Sequence, residues 1–164
     1  MHLTFAKFHA DSFKEYYRLV SDIRVMVQIT ERALTQEEAR DRFDRILKRN
    51  EAHRAFGSYM VLEKDSFVGL GHITLKEGQE REAEIGYMLL PDYWGKGYGT
   101  LIAREMVRLG VEGGLHKLTA IIDPENIPSR KILIRLGFVS EGLRDYDGLP
   151  GELLSLKLKE AKVL

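Results

Sequence analysis

Apolar residues recur along the chain with two periods, near 2 and near 3.6, and the switches between them lay out its elements. Residues 3–8 alternate apolar with polar and read as a strand. Asp11 or Ser12 then caps a helix that carries Phe13, Tyr16, Tyr17 and Val20. Residues 24–34 have mixed periodicity, which predicts a loop with a helical turn. Thr35 followed by Glu38 is a capping box and opens a charged helix to about Arg49, with Ala39, Phe43, Ile46 and Leu47 on one face. Residues 55–64 and 67–76 form a hairpin about Asp65-Ser66, and a second turn over 76–80 leads into a strand over 84–90 that stops at Pro91.

From about Tyr98 the period returns to helical, with Leu101, Ile102, Met106 and Leu109 on one side. Gly113-Gly114 ends that helix and 117–122 is a short apolar strand. Asn126 caps a further helix with Pro128 in its first turn, where a missing N–H does no harm; Ile132, Leu133 and Leu136 face inward and Gly137 closes it. Residues 138–144 and 152–159 are the closing strands, joined by a turn over 147–151. The order implies an α/β (α+β) fold with a mixed sheet covered by helices.

Composition narrows the picture. A chain of 164 residues with no Pro/Ser-rich linker, repeat or low-complexity run is expected to be one domain spanning residues 1–164. Its 25 basic residues balance 25 acidic ones, which gives no bias toward nucleic acid or an anionic membrane. Cysteine is absent, so disulfides, a thiol nucleophile and thiolate metal sites are excluded. No apolar run approaches the roughly 20 residues that span a bilayer, and no signal-type segment opens the chain, so a cytoplasmic protein is expected. The histidines at 2, 9, 53, 72 and 116 show no metal-ligand spacing, and no metal is expected. His72 falls within a predicted strand, where a packed or surface role competes with one in a cleft.

The densest chemistry lies between the strand ending at Leu90 and the helix beginning near Tyr98, in Gly95-Lys96-Gly97-Tyr98-Gly99-Thr100. Three glycines here bring bare amides together at the positive end of a helix dipole, a place suited to phosphate. A nucleotide-hydrolysing P-loop needs Ser or Thr after the lysine, and Gly97 stands there. A dinucleotide fingerprint needs its third glycine where Thr100 sits, although Asp123 imitates its ribose-binding acid.

Glu84-Ile85-Gly86-Tyr87, followed by Pro91-Asp92-Tyr93-Trp94-Gly95-Lys96-Gly97-Tyr98-Gly99, resembles the acetyl-CoA motif of the GNAT N-acetyltransferases. It is most similar to the branch holding ribosomal-protein N-terminal and spermidine acetyltransferases. Asn126, Ser129 and Leu136-Gly137-Phe138 match that family's second signature. The resemblance covers residues 55–158 well and the first 50 residues only in pattern. It implies a GNAT fold: a mostly antiparallel sheet with helices on both faces, whose central strand splays from its neighbour at a bulge. The pantetheine arm of acetyl-CoA then lies in the gap, on freed backbone groups of Met88, Leu89 and Leu90. The pyrophosphate meets the amides of Gly95, Lys96, Gly97, Tyr98, Gly99 and Thr100, and Asn126 and Ser129 contact the cofactor.

The activity implied is transfer of an acetyl group to a primary amine, either a protein N-terminus or a small-molecule amine or polyamine, by direct attack in a ternary complex. Glu84 is the expected general base, with Glu82 and Glu152 as fallbacks. Ser129 is the expected hydroxyl near the sulfur, because Leu133 stands where many members carry a tyrosine; Tyr98 and Tyr146 are further donor candidates. Trp94 replaces an Arg or Gln common in the family, and with Tyr93 it either covers the cofactor or packs. Glu31, Glu37, Glu38 and Glu152 are the carboxylates available to a polyamine. A homodimer is compatible with this reading. The contrasting function is an acyl-CoA sensor or interaction module without turnover.

Overall fold

The computed structural model describes residues 1–158. Its elements are β1 (Thr4–Lys7), α1 (Phe13–Val20), α2 (Ile23–Met26), α3 (Gln36–Ala52), β2 (Gly57–Glu63), β3 (Ser66–Lys76), β4 (Gln79–Leu89), α4 (Tyr98–Glu112), β5 (Lys117–Ile122), α5 (Ile127–Arg135), β6 (Val139–Tyr146) and β7 (Leu149–Lys157). The strands form one sheet in the order β1-β2-β3-β4-β5-β7-β6. Every neighbouring pair is antiparallel except β4 with β5.

Two apolar clusters hold helices on opposite faces. Leu19, Phe43 and Met26 from α1, α3 and α2 pack with Met60, Phe67 and Leu70 on one face. Ile102 and Met106 of α4 and Leu133 of α5 pack with Ile73, Ala83, Ile85 and Leu118 on the other. Strand alternation therefore sends neighbouring residues of β4 to different helical layers.

Local signals act as expected in α3 but not at the start of α1. Ser12 makes no side-chain cap there because its hydroxyl bonds back to His9, and His9 accepts from the Asp11 amide instead. Thr35 and Glu38 make the reciprocal capping box, and α3 runs to Ala52, three residues beyond the expected end. Asp22 caps the single helical turn of α2 by accepting from the Arg24 amide. The hairpin turns are tighter than the sequence implies. Lys64 and Asp65 both have positive φ, 47° and 68°, and Ser66 already pairs with Glu63. Likewise Asp147 and Gly148, at 54° and 87°, complete a two-residue turn, so β7 begins at Leu149 rather than Glu152. Pro150 is tolerated there because β5 stops pairing at Ile122 opposite Glu152, and no ladder needs the missing N–H. The predicted end of this strand, Lys159, lies outside the described residues.

The feature that positions the site is the brevity of the parallel pairing. β4 meets β5 only through Glu82–Lys117, Ala83–Leu118 and Glu84–Thr119. Beyond Glu84, β4 continues with β3 as far as Leu89 while β5 continues with β7. A split opens between them at Ile85. The β3–β4 register is continuous from Ala83 to Leu89, so divergence of two paired ribbons, rather than a register-shifting bulge in that ladder, makes the gap.

Candidate active site

A cleft of about 1310 Å³ follows the split. Its walls come from residues 24–31, β3, β4, the glycine loop, the start of α4, the end of β5, the start of α5 and the last hairpin. Of the expected site residues, Glu84, Met88, Leu89, Gly95, Gly97, Tyr98, Gly99, Thr100, Asn126 and Ser129 all line it.

At one end the glycine loop presents amides. Gly95 and Gly97 take φ of 70° and 91°, in the left-handed region that other residues avoid. A Cβ on Gly95 meets nothing within 4 Å, and one on Gly97 meets only the Met1 Cε at 3.9 Å, so dihedral strain rather than space demands glycine at both. Gly97 is the N-cap of α4 and supplies no side-chain cap, and the first helical bond runs from the Leu101 amide to its carbonyl. The amides of Tyr98, Gly99 and Thr100 thus precede that bond and lack helical acceptors. Gly99 serves packing: a Cβ there would come within 3.1 Å of both Tyr87 and Ile132. Lys96 points away, its Nζ donating to the Asp92 carbonyl at 2.8 Å.

Along the split, Ile85–Leu89 have no partner from β5. The register that sets the Leu90 N–H on Val68 also turns the Met88 N–H and carbonyl toward Leu70 of β3, so Met88 does not offer the freed backbone expected of it. Ile85, Tyr87 and Leu89 present theirs to the gap. Leu90 corrects the expectation too. Its N–H donates to the Val68 carbonyl at 3.0 Å and its carbonyl accepts from the Tyr93 amide at 2.9 Å, so its backbone is tied within the chain. The cause is Pro91, which starts a 3-10 turn and folds the chain back one residue past the strand. The Leu89 carbonyl accepts from Trp94 Nε1 at 3.0 Å, which anchors an otherwise exposed indole at the cleft wall. Tyr93 packs edge-on against Tyr98.

The two faces of β4 differ chemically. On the α1/α3 side lie Glu84 and, paired opposite Gly86, His72 of β3. Burial raises the Glu84 carboxyl above its ordinary pKa, against the opposing pull of Lys76 and Arg49. Burial also lowers the His72 imidazole from 6.5 to about 4, with Arg49 adding to the shift. Thr74 and Thr119 stand opposite Glu84 on either side, and the Thr119 hydroxyl is buried with no hydrogen-bond partner among the described residues.

On the α4/α5 side the Tyr87 hydroxyl meets Ser129 Oγ at 2.8 Å. Ser129 is also held by its amide, which donates to Asn126 Oδ1 at 3.3 Å, so Asn126 caps α5 as predicted. Burial raises the Tyr87 phenol and keeps it protonated, while the bond to Ser129 pulls the other way. Leu133 is in the core at 2% exposure. Sequence reasoning gave Tyr87 no role, because its hydroxyl gains a partner 42 positions away only through the tertiary fold.

Several candidates are set aside by geometry. Tyr98 turns its hydroxyl to Glu63 at 2.8 Å, away from Ser129. Glu152 is buried and accepts from Arg130 Nε at 2.9 Å; the Ser140 hydroxyl first, then Arg130, hold its carboxyl below the ordinary range, which suits a structural ion pair and not a base. Glu82 does not line the cleft. Among the four carboxylates considered for a polyamine, Glu31 alone lines it. Glu38 is engaged by Thr35 and Arg32, and Glu37 is exposed on α3. Tyr146 lines the cleft beside Leu149 and Pro150.

This arrangement suits a ligand with a phosphate at one end and an extended amide-bearing arm. Left-handed glycines hold the amides of a helix start open, and an unpaired strand side runs from them to a buried carboxylate on one face and two hydroxyls on the other.

The comparisons agree with that geometry. The acetyltransferase (GNAT) domain family matches residues 2–139. The uncharacterized N-acetyltransferase YnaD of Bacillus subtilis is 31% identical over 149 residues, covering 87% of this chain and 85% of that protein. The uncharacterized N-acetyltransferase p20 of Bacillus licheniformis is 35% identical over 101 residues, 60% of this chain and just 57% of p20's own length. A spermidine N-acetyltransferase from Vibrio cholerae, solved in complex with CoA and spermine, shares the fold with a TM-score of 0.79 at 16% identity, over 94% of this chain and 95% of that one. The chain belongs to the GNAT family of N-acetyltransferases.

Proposed function

We propose that this protein transfers an acetyl group from acetyl-CoA to a primary amine within a ternary complex. The observation that carries the reading is that the β4–β5 split opens one residue after Glu84 and lies beside the bare N-terminus of α4. Acetyl-CoA, when bound, supplies an acyl group already activated as a thioester. The chain's own residues do the rest. Amides of the Gly95–Thr100 loop would hold the pyrophosphate, and the open side of β4 as far as Leu89 would hold the arm, as an added strand is held.

Glu84 takes a proton from the incoming ammonium. Its raised pKa brings it nearer the operating pH, which favours proton acceptance over an ordinary carboxylate. On the opposite face Ser129, backed by the Tyr87 hydroxyl, donates a hydrogen bond where a thiolate would depart. Placing the amine about 3 to 3.5 Å from the acyl carbon supplies a large share of the acceleration. No covalent enzyme intermediate is required.

For the acceptor we favour an amine of single charge carrying an apolar group. The 24–31 wall exposes Val27 and Ile29 at 49% and 43%, and offers Glu31 as its carboxylate. A polyamine would meet little complementary charge there.

The direct test is thermal unfolding with acetyl-CoA, NAD or ATP at equal concentration. Acetyl-CoA alone should raise the midpoint, since only a ligand of the native state does so. A panel of peptide N-termini, amino-acid amines and polyamines, followed by free-thiol release, then identifies the acceptor. No stabilisation by acetyl-CoA overturns the reading.

A further inference from the structure

His72 lies outside the two motifs, yet its placement gives it a specific relation to the reacting centre. It pairs with Gly86, two residues beyond Glu84, the last residue of β4 that β5 pairs. A Cβ on Gly86 would lie 2.5 Å from His72 Nε2. The imidazole therefore leans over bare β4 backbone at the point where the split begins. A side chain there would push it out, so Gly86 is the condition for this pose.

The other ring nitrogen is fixed: Nδ1 lies 3.1 Å from Thr74 Oγ1 on the same strand. In the tautomer whose Nδ1–H donates to Thr74 Oγ1, Nε2 carries a lone pair, and it lies over Gly86 at the cleft wall. Arg49 of α3 acts on the ring electrostatically, and Glu84 lies on the facing strand two residues before Gly86. Because burial keeps the ring uncharged at neutral pH, it does not repel an approaching ammonium.

Resting on the acetyltransferase reading above, we infer that His72 Nε2 receives the acceptor amine, accepting a hydrogen bond from its N–H at the mouth of the split, with Thr74 as the positioning residue that holds the ring through its Nδ1. Glu84 remains the proton acceptor. His72 sets where the nitrogen sits, so that its lone pair points into the split once the proton has gone.

The test uses steady-state kinetics of the full chain with the best amine of the panel. His72→Ala should lower kcat/KM for the amine roughly 10- to 150-fold, the range for losing a hydrogen bond to a charged partner, with KM for acetyl-CoA unchanged. Added imidazole should restore part of the loss, which a merely structural role would not allow. Thr74→Val, close in shape, should give a smaller loss in the same parameter. Gly86→Ala, which keeps the histidine but displaces it, should reproduce the amine defect; it covers the case in which His72→Ala fails to fold. An active His72→Ala within twofold of the parent, or a loss confined to acetyl-CoA, overturns the inference and leaves the function intact. A parent chain that acetylates no amine overturns both.

Discussion

The two halves of the cleft are built by different means. The half proposed for the cofactor is made of backbone: two left-handed glycines, a helix start and the unpaired side of β4, all within residues 85–100. The half proposed for the acceptor is made of side chains from residues 24–31, β3, β4 and the last hairpin, brought together across more than a hundred positions. Backbone recognition depends on a few dihedral angles, so it writes a compact signature. Side-chain recognition depends on packing between distant elements, and a change in any one can be met by another.

The sharpest way to separate the halves is Glu84→Gln, the largest effect expected. Turnover at saturating amine should fall at least roughly tenfold while KM for acetyl-CoA stays put, because the change removes a proton acceptor and no cofactor contact. The sign on stability is opposite. Glu84 has a raised folded pKa, so the native state binds its proton more tightly than the unfolded state does. The associated stability is present below the ordinary carboxylate pKa and lost as pH rises through the raised value. The glutamine variant should therefore escape that loss and unfold at a higher temperature than the parent at pH 7. The parent's activity should show an acid limb above the usual carboxylate range.

Next in size is Gly97→Ala, which acts on the other half. Forcing an L-residue to a φ of 91° costs roughly 1–2 kcal/mol and disturbs the amide row. The stabilisation given by acetyl-CoA should shrink, with KM for the cofactor up about tenfold and amine preference unchanged. If preference shifts as well, the halves are not independent.

Tyr87→Phe tests the hydroxyl pair between them. Loss of the bond to Ser129 should reduce kcat about fivefold, equivalent to roughly 1 kcal/mol, with a small effect on either KM. An unchanged kcat would assign the pair to packing.

The smallest effect is a stability change that separates strand structure from chemistry. At 1% exposure Thr119 buries a hydroxyl with no partner among the described residues, so Thr119→Val should leave stability the same or raise it by about 1 kcal/mol in denaturant unfolding. A clear loss would mean that the hydroxyl is satisfied in solution, and would tie it to Glu84 opposite.

Much of the half proposed for the cofactor was legible in the sequence as geometry. Gly95, Gly97 and Thr100 fall in the cleft as the spacing implied, and Asn126 caps α5. Leu90 misled, because the reversal imposed by Pro91 ties its N–H and carbonyl to Val68 and Tyr93, which no local pattern reveals. Glu152 misled for a related reason: a carboxylate in a strand reads the same whether it meets solvent or Arg130. Tyr87 and His72 were the other gap. Each has chemistry common to many buried residues, and its meaning comes from Ser129 in one case and from Gly86 and Thr74 in the other.

By itself the sequence determined the order and type of the elements, the caps and glycine dihedrals, and with them a phosphate-ready helix start, because these are set by interactions within a few residues. Only the tertiary structure decided where β4 leaves β5, which glutamate burial leaves with a raised pKa and which is paired with Arg130, and which face receives which hydroxyl. Those depend on how far two ribbons twist apart and on what each side chain then meets, and such distances between remote segments are fixed by packing rather than by neighbours in the chain.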